Sequence, residues 1–145
     1  MDVEATLLRD KGLRSTPQRR AVLHAIAGKA HVTAADIAAT VASAGSAPGS
    51  VAVGELSRQG LYNILDDLRR VGLVRAIEPA GSPALFELHH GDNHHHMVCR
   101  GCGRVRDVPC AVGVAPCLDA GTTEDFTVDE AEVIWWGRCG ACSRG

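Results

Sequence analysis

The chain has 145 residues, 46% hydrophobic and 22% charged, with a formal net charge of −2, a balance that excludes disordered and fibrous classes. No apolar run approaches the roughly 20 residues needed to cross a bilayer, and the polar start MDVEATLLRDKG lacks signal-peptide character, so a cytoplasmic protein with no membrane partner is expected. Aromatic residues make up only 3%, which makes a small autonomous core hard to build without some other tie.

In chain order, residues 4–12 read as a short helix ending at Gly12. Thr16 followed by Pro17 is a helix start, and the helix runs through QRRAVLHAIAGK with Val22, Leu23 and Ile26 on one side. Thr33 opens a third helix with Asp36 in capping-box position, and AADIAATVASA carries it to Gly45. GSAPGSVAVGE is a Gly/Pro/Ser-rich connection. Ser57 caps the strongest helix, SRQGLYNILDDLRRVG, in which Leu61, Ile64, Leu65 and Leu68 form an apolar stripe and Gly72 ends the run. LVRAI and ALFEL, separated by EPAGSP, read as a hairpin. Helices followed by a hairpin give the order of a winged helix-turn-helix.

The polar face of the Ser57 helix decides whether DNA is a sensible partner. Arg58 can pair with guanine edges, Asn63 with adenine, and the Tyr62 ring can lie against a thymine methyl. Arg14, Arg19 and Ser57 complete the candidate DNA-contacting set. An ordinary solvated face is the alternative. Charge tilts toward DNA: residues 1–79 hold ten Lys/Arg against eight Asp/Glu, whereas residues 80–145 hold five against nine.

The second half carries the metal chemistry. HHHMVCR and RVRDVPC read as strands, AVGVAPCLDAG as weakly helical, and FTVDEAEVIWWGRC as a last strand. All six cysteines lie here, and in a cytosolic chain they read first as metal ligands. Cys99-Arg-Gly-Cys102 and Cys139-Gly-Ala-Cys142 are two tight turns, each aiming two thiolates at one point, a tetrahedral set suited to structural Zn2+. The 36 residues between the pairs exceed a zinc ribbon's spacing, so the pairs must meet through a sheet. A dithiol redox site or a disulfide pair is the alternative. A bound ion would compensate for the poor core and give Trp135 and Trp136 something firm to pack on, unless they form a dimer interface. On a strand, His94 and His96 point one way and His95 the other, while Asp107 lies on the following strand and Glu87 ends the hairpin. Two imidazoles with carboxylates suit Fe2+, Mn2+ or Zn2+; a solvent-exposed polar strand end is the alternative. His24 reads as an ordinary histidine, and Cys110 and Cys117 as plain buried cysteines or a redox pair.

GLRSTPQRRAVL, AHVTAADI, SRQGLYNILDDLRRVGLV, ALFEL, NHHHMVCRGCG and the closing CxxC together resemble the ferric uptake regulator (Fur) family in order and spacing, over nearly the whole chain. Within it the chain looks closest to the actinobacterial FurA/CatR type. The resemblance implies an α+β fold: a winged-helix DNA-binding domain, residues 1–80, and a C-terminal α/β dimerisation domain, residues 81–145, holding structural zinc on Cys99, Cys102, Cys139 and Cys142. It implies a regulatory ion, Fe2+ or Mn2+, on His31, Glu87, His94, His96 and Asp107, and a recognition-helix tyrosine at Tyr62. It implies a homodimer on double-stranded operator DNA, repressing catalase-peroxidase or iron and oxidative-stress genes. A regulator of metal homeostasis gated by zinc or manganese, without peroxide sensing, is the alternative. Two departures stand out: Ala131 replaces a histidine that serves a further family site, and Glu87 matches iron-sensing members, the peroxide sensors having Asp.

An enzyme, such as a zinc hydrolase, would need an open coordination position and a general base. Neither HExxH nor a deaminase HxE…PCxxC pattern occurs, so no catalysis and no small organic substrate are expected.

Overall fold

Helix α1 (Val3–Asp10), α2 (Pro17–Ala27), α3 (Ala34–Ala44) and α4 (Arg58–Arg70) each start where a side-chain oxygen accepts a first-turn N–H that has no backbone partner. Asp2 accepts from Ala5, Thr16 from Arg19, Thr33 from Asp36 and Ser57 from Gly60. At α3 the pairing is reciprocal, because the Asp36 carboxylate also accepts the Thr33 N–H. Thr33→Ala is therefore expected to lower stability by about 1 kcal/mol, read as a shifted urea midpoint at unchanged slope.

The structure is a computed structural model describing residues 2–45, 53–89, 94–109, 124–128 and 131–144. It divides into two compact units, residues 1–90 and 91–145. In the first, α2, α3 and α4 pack against a three-stranded antiparallel sheet of β1 (Val32–Thr33), β2 (Val74–Ile77) and β3 (Leu85–Leu88), in the order β1-β3-β2, and α1 packs on α2. Its core is mainly aliphatic: Leu8, Val22, Leu23, Ile26, Ile37, Leu65 and Leu68 are among the buried residues, with Phe86 beside them. The α4 stripe Leu61, Ile64, Leu65, Leu68 faces this core, leaving Arg58, Tyr62 and Asn63 outside. Arg19 ties α2 to α4 through Asp67 at 2.6 Å, and Asp67 also meets Arg70 at 2.7 Å. The Arg70 and Arg19 guanidinium groups hold the Asp67 carboxyl below the usual range.

In the second unit, β4 (His94–Cys99) is the central strand. It pairs antiparallel with β5 (Val105–Pro109) and parallel with β6 (Ile134–Gly137), and a one-turn helix, α5 (Gly140–Ser143), follows.

Three expectations shift. The wing acquires a third strand, β1, whose Val32 and Thr33 pair with Phe86 and Leu85. That pairing, with β2 on the other side, keeps the whole hairpin in the first unit, so the division falls at His90/Gly91 rather than at 80/81. The last strand is shorter than FTVDEAEVIWWGRC, since ladder pairing with β4 spans only residues 134–137. The connection at 46–52, the stretch AVGVAPCLDAG, Cys110 and Cys117 lie outside the described residues. Among the described residues, no helix is long and apolar enough to cross a membrane.

Candidate metal centres

The two CxxC turns come together because β4 and β6 run parallel. Cys99 ends β4, Gly137 is its partner on β6, and Cys139 follows two residues later. The backbone closes the same gap: Arg100 donates to the Gly137 carbonyl at 2.7 Å, and the Cys139 N–H donates to Cys99 Sγ at 3.2 Å. All four sulfurs of Cys99, Cys102, Cys139 and Cys142 lie within 4.8 Å of one another. The Cys102–Cys139 separation of 3.8 Å matches the edge of a tetrahedron with bonds of ~2.3 Å to zinc. The four cysteines are unbridged in this arrangement, as a four-thiolate metal set requires.

Cys99 and Cys139 are held toward the thiolate. Backbone N–H groups of Cys139 and Cys102 hold Cys99 down to about 6, and the backbone N–H of Cys142 lowers Cys139. Cys142 is pushed up to about 12 by the neighbouring sulfurs of Cys139, Cys99 and Cys102, as expected when several thiolates crowd one point without a cation. Gly101 makes the crowding sterically feasible, since a Cβ there would sit 2.8 Å from Cys142 Sγ. Four converging soft donors fit a tetrahedral soft or borderline ion.

A second donor group belongs to the first unit. The β1–β3 register, Val32 opposite Phe86 and Thr33 opposite Leu85, continues one step to set His31 beside Glu87. Their side chains meet at 3.0 Å, His31 Nε2 to Glu87 Oε2, and both are largely buried. His31 holds this position at φ 58°, a left-handed conformation that non-glycine residues adopt at some cost.

A third group belongs to the second unit. His96 stands directly across from Asp107 in the β4–β5 ladder, with His94 two residues away on the same face. Asp107 Oδ1 lies 3.5 Å from His96 Nε2 and 3.9 Å from His94 Nε2, and the two rings are 5.0 Å apart edge to face. His96 is fully buried and His94 nearly so, which removes the solvated strand-end alternative. His95 points away, as alternation requires: it accepts the Val133 N–H at Nδ1 and lies 5.9 Å from the Trp135 ring. Imidazoles with carboxylates, in both groups, fit a borderline or hard divalent ion. Glu132 was not legible as part of the site, yet its Oε1 lies 3.6 Å from His96 Nδ1.

The candidate DNA-contacting residues divide by what they already do. Tyr62 is 39% exposed with the Arg58 guanidinium 6.0 Å over its ring, and Asn63 is exposed and accepts from Gln59. Ser57 is committed to capping α4, and Arg19 is engaged with Asp67 and the Arg14 carbonyl. Arg14 is exposed. His24 is a surface histidine 2.7 Å from Glu4.

Residues 10–111 match the Ferric uptake regulator family. The chain is 47% identical over 139 residues to the transcriptional regulator FurA of Mycobacterium tuberculosis, covering 96% of this chain and 89% of the relative. It is 31% identical over 143 residues to the peroxide operon regulator of Bacillus subtilis, covering 94% and 89%. The ferric uptake regulator from Pseudomonas aeruginosa, solved with manganese, superposes with a TM-score of 0.67 at 25% identity, covering 95% of this chain and 98% of that one. With this two-unit α+β fold, a four-cysteine cluster and a family match over most of its length, the chain belongs to the ferric uptake regulator family of metal-dependent transcription regulators.

Proposed function

We propose that this chain is a metal-gated repressor that binds operator DNA as a homodimer. Zn2+ on Cys99, Cys102, Cys139 and Cys142 closes the second unit, and a regulatory Fe2+ or Mn2+ takes His31, Glu87, His94, His96 and Asp107. The observation that carries this reading is that strand register alone assembles a His–carboxylate group in each unit: His31 with Glu87, and His94 and His96 with Asp107. An ion that draws donors from both units favours whichever conformation lets all of them reach it, and so acts as an effector through differential affinity. A regulatory ion would supply charge and fixed coordination geometry and, as Fe2+, a centre that peroxide can oxidise. The protein's own residues do the remaining tasks: they orient the donors, and α4 reads bases.

The match to the Ferric uptake regulator family and the identity to the peroxide operon regulator support a role in iron or oxidative-stress control, with peroxide as the signal; catalase-peroxidase genes as targets rest on the family resemblance alone. Anaerobic DNA binding with Fe2+, Mn2+ or Zn2+, repeated after peroxide, tests both parts. Metal-independent binding would overturn gating, and equal responses with all three ions would overturn peroxide selectivity.

Base reading is assigned to the outer face of α4. Tyr62→Ala is expected to cost about 1–3 kcal/mol on operator DNA with little change on random DNA, measured by fluorescence anisotropy at one fixed salt concentration. Equal losses on both would remove Tyr62 from the reading face.

A further inference from the structure

His96 has a carboxylate near each ring nitrogen: Asp107 Oδ1 lies 3.5 Å from Nε2, and Glu132 Oε1 lies 3.6 Å from Nδ1. The two nitrogens of an imidazole point away from each other, so these carboxylates occupy opposite edges of the ring and cannot serve the same purpose. Asp107 also approaches His94 Nε2, which places the donor side of His96 at Nε2.

We propose that Glu132 is a positioning residue for His96: its carboxylate takes the Nδ1 proton, fixing the tautomer that leaves the Nε2 lone pair facing Asp107 for the regulatory ion. The inference rests on the regulatory-site reading above. A neutral histidine has two tautomers, and only one presents Nε2 as a donor atom; a carboxylate on the other nitrogen selects it and raises the basicity of the donor. The ring is fully buried, so among its surroundings a nearby carboxylate has unusual weight. At 3.6 Å the separation is about 0.7–0.9 Å longer than a charge-assisted hydrogen bond, a gap that a rotation of the glutamate side chain has to close.

The backbone sets Glu132 in this place. Its neighbour Val133 is bracketed by two hydrogen bonds, accepting from the His96 N–H at 3.2 Å and donating to His95 Nδ1 at 3.1 Å. The β6 ladder begins immediately afterwards, with Ile134 opposite His96. The side chain of Glu132 is 35% exposed, so the carboxylate keeps part of its hydration while Oε1 lies nearest the ring. The carboxylate is thereby held at the ring edge with only a small loss of solvation.

The test uses the zinc-loaded full chain and Mn2+ alone as the probe, with binding read from the EPR signal of the free ion. Glu132→Ala is expected to weaken Mn2+ binding by about 10–100-fold. Glu132→Gln, which keeps an oxygen acceptor, is expected to recover most of that loss. In a His96→Ala background, Glu132→Ala is expected to change nothing further, because its partner is already gone. A Glu132→Ala effect that persists undiminished without His96 would overturn the proposal, since Glu132 would then act directly on the ion. If His96→Ala weakens Mn2+ and Glu132→Ala does not, the positioning role fails and the regulatory site stands. If His96→Ala itself leaves Mn2+ affinity unchanged, both fail. Loss of bound zinc or of the second unit's melting transition in Glu132→Gln would make Glu132 a scaffold residue and likewise overturn it.

Discussion

Replacing Cys99 or Cys142 by serine is expected to strip the tightly held zinc and unfold the second unit, while the first unit keeps its own melting transition. The asymmetry follows from where the apolar core lies. Leu8, Val22, Leu23, Ile26, Ile37, Leu65 and Leu68 build it in the first unit. In the second, the buried hydrophobic residues among those described are Val98 and Cys99 alone. Met97, Trp135 and Trp136 stay substantially exposed on its strands. Structural Zn2+ in small domains supplies an apparent ~10–16 kcal/mol at neutral pH, far more than two buried side chains can offer. Hydrogen exchange would then show lost protection in β4–β6 and retained protection in α2–α4, with zinc content following the loss of the fold. A Cys142→Ser protein that keeps one equivalent of zinc and its β4 protection would remove the Cys99–Cys142 cluster from its structural role.

The second large effect concerns gating. His96→Ala is expected to abolish metal-stimulated operator binding while leaving the four-cysteine zinc and the melting of both units largely intact. His31 should behave alike, although 65 residues of sequence separate it from His96. The variant has to be chosen with the backbone in mind. At φ 58°, alanine would remove a donor and keep the backbone cost, whereas glycine removes the donor and accepts the conformation freely. His31→Gly therefore isolates loss of the ligand from loss of stability. Full metal-stimulated DNA binding by His31→Gly would sink the idea that one ion draws on both units; loss of gating with unchanged melting would support it. Screened surface charges contribute little to either outcome, so repeating the measurement at raised salt should lower total DNA affinity without restoring the metal response.

How far the sequence was legible depended on the range of each interaction. Caps and stripes are local: Thr16, Thr33 and Ser57 announce their helices within four residues, and the α4 stripe repeats at helical spacing. A CxxC turn is local too, which is why the cysteine cluster could be read directly from the chain. β1 could not be read, because a two-residue strand has no period; it exists only through Phe86 and Leu85, more than fifty residues away. The His31–Glu87 contact inherits that difficulty, and only family resemblance pointed to it. Glu132 was hidden for a related reason. Nothing in VDEAEV marks a glutamate as facing a histidine, until the parallel pairing of β6 with β4 fixes which residue lies beside His96. The hairpin strands were recognised, but the boundary drawn at 80/81 cut between them, since composition changes there while pairing does not.

The parallel pairing of β4 with β6 has a consequence for the order of events during synthesis. The first unit is complete in sequence by about residue 90, ahead of the second, and its helices and the β2–β3 hairpin form from near neighbours in sequence. The second unit cannot be finished in this way. Cys99 and Cys102 emerge early, yet Cys139 follows 40 residues after Cys99, and the central strand has no β6 until that stretch is out. In that interval the nascent chain displays a two-thiolate turn beside three adjacent histidines, His94, His95 and His96. A half-built site of this kind is open to capture by whatever soft cation is at hand, and to oxidation between Cys99 and Cys102. Early metal supply, rather than final affinity, would then govern how much of the protein matures correctly.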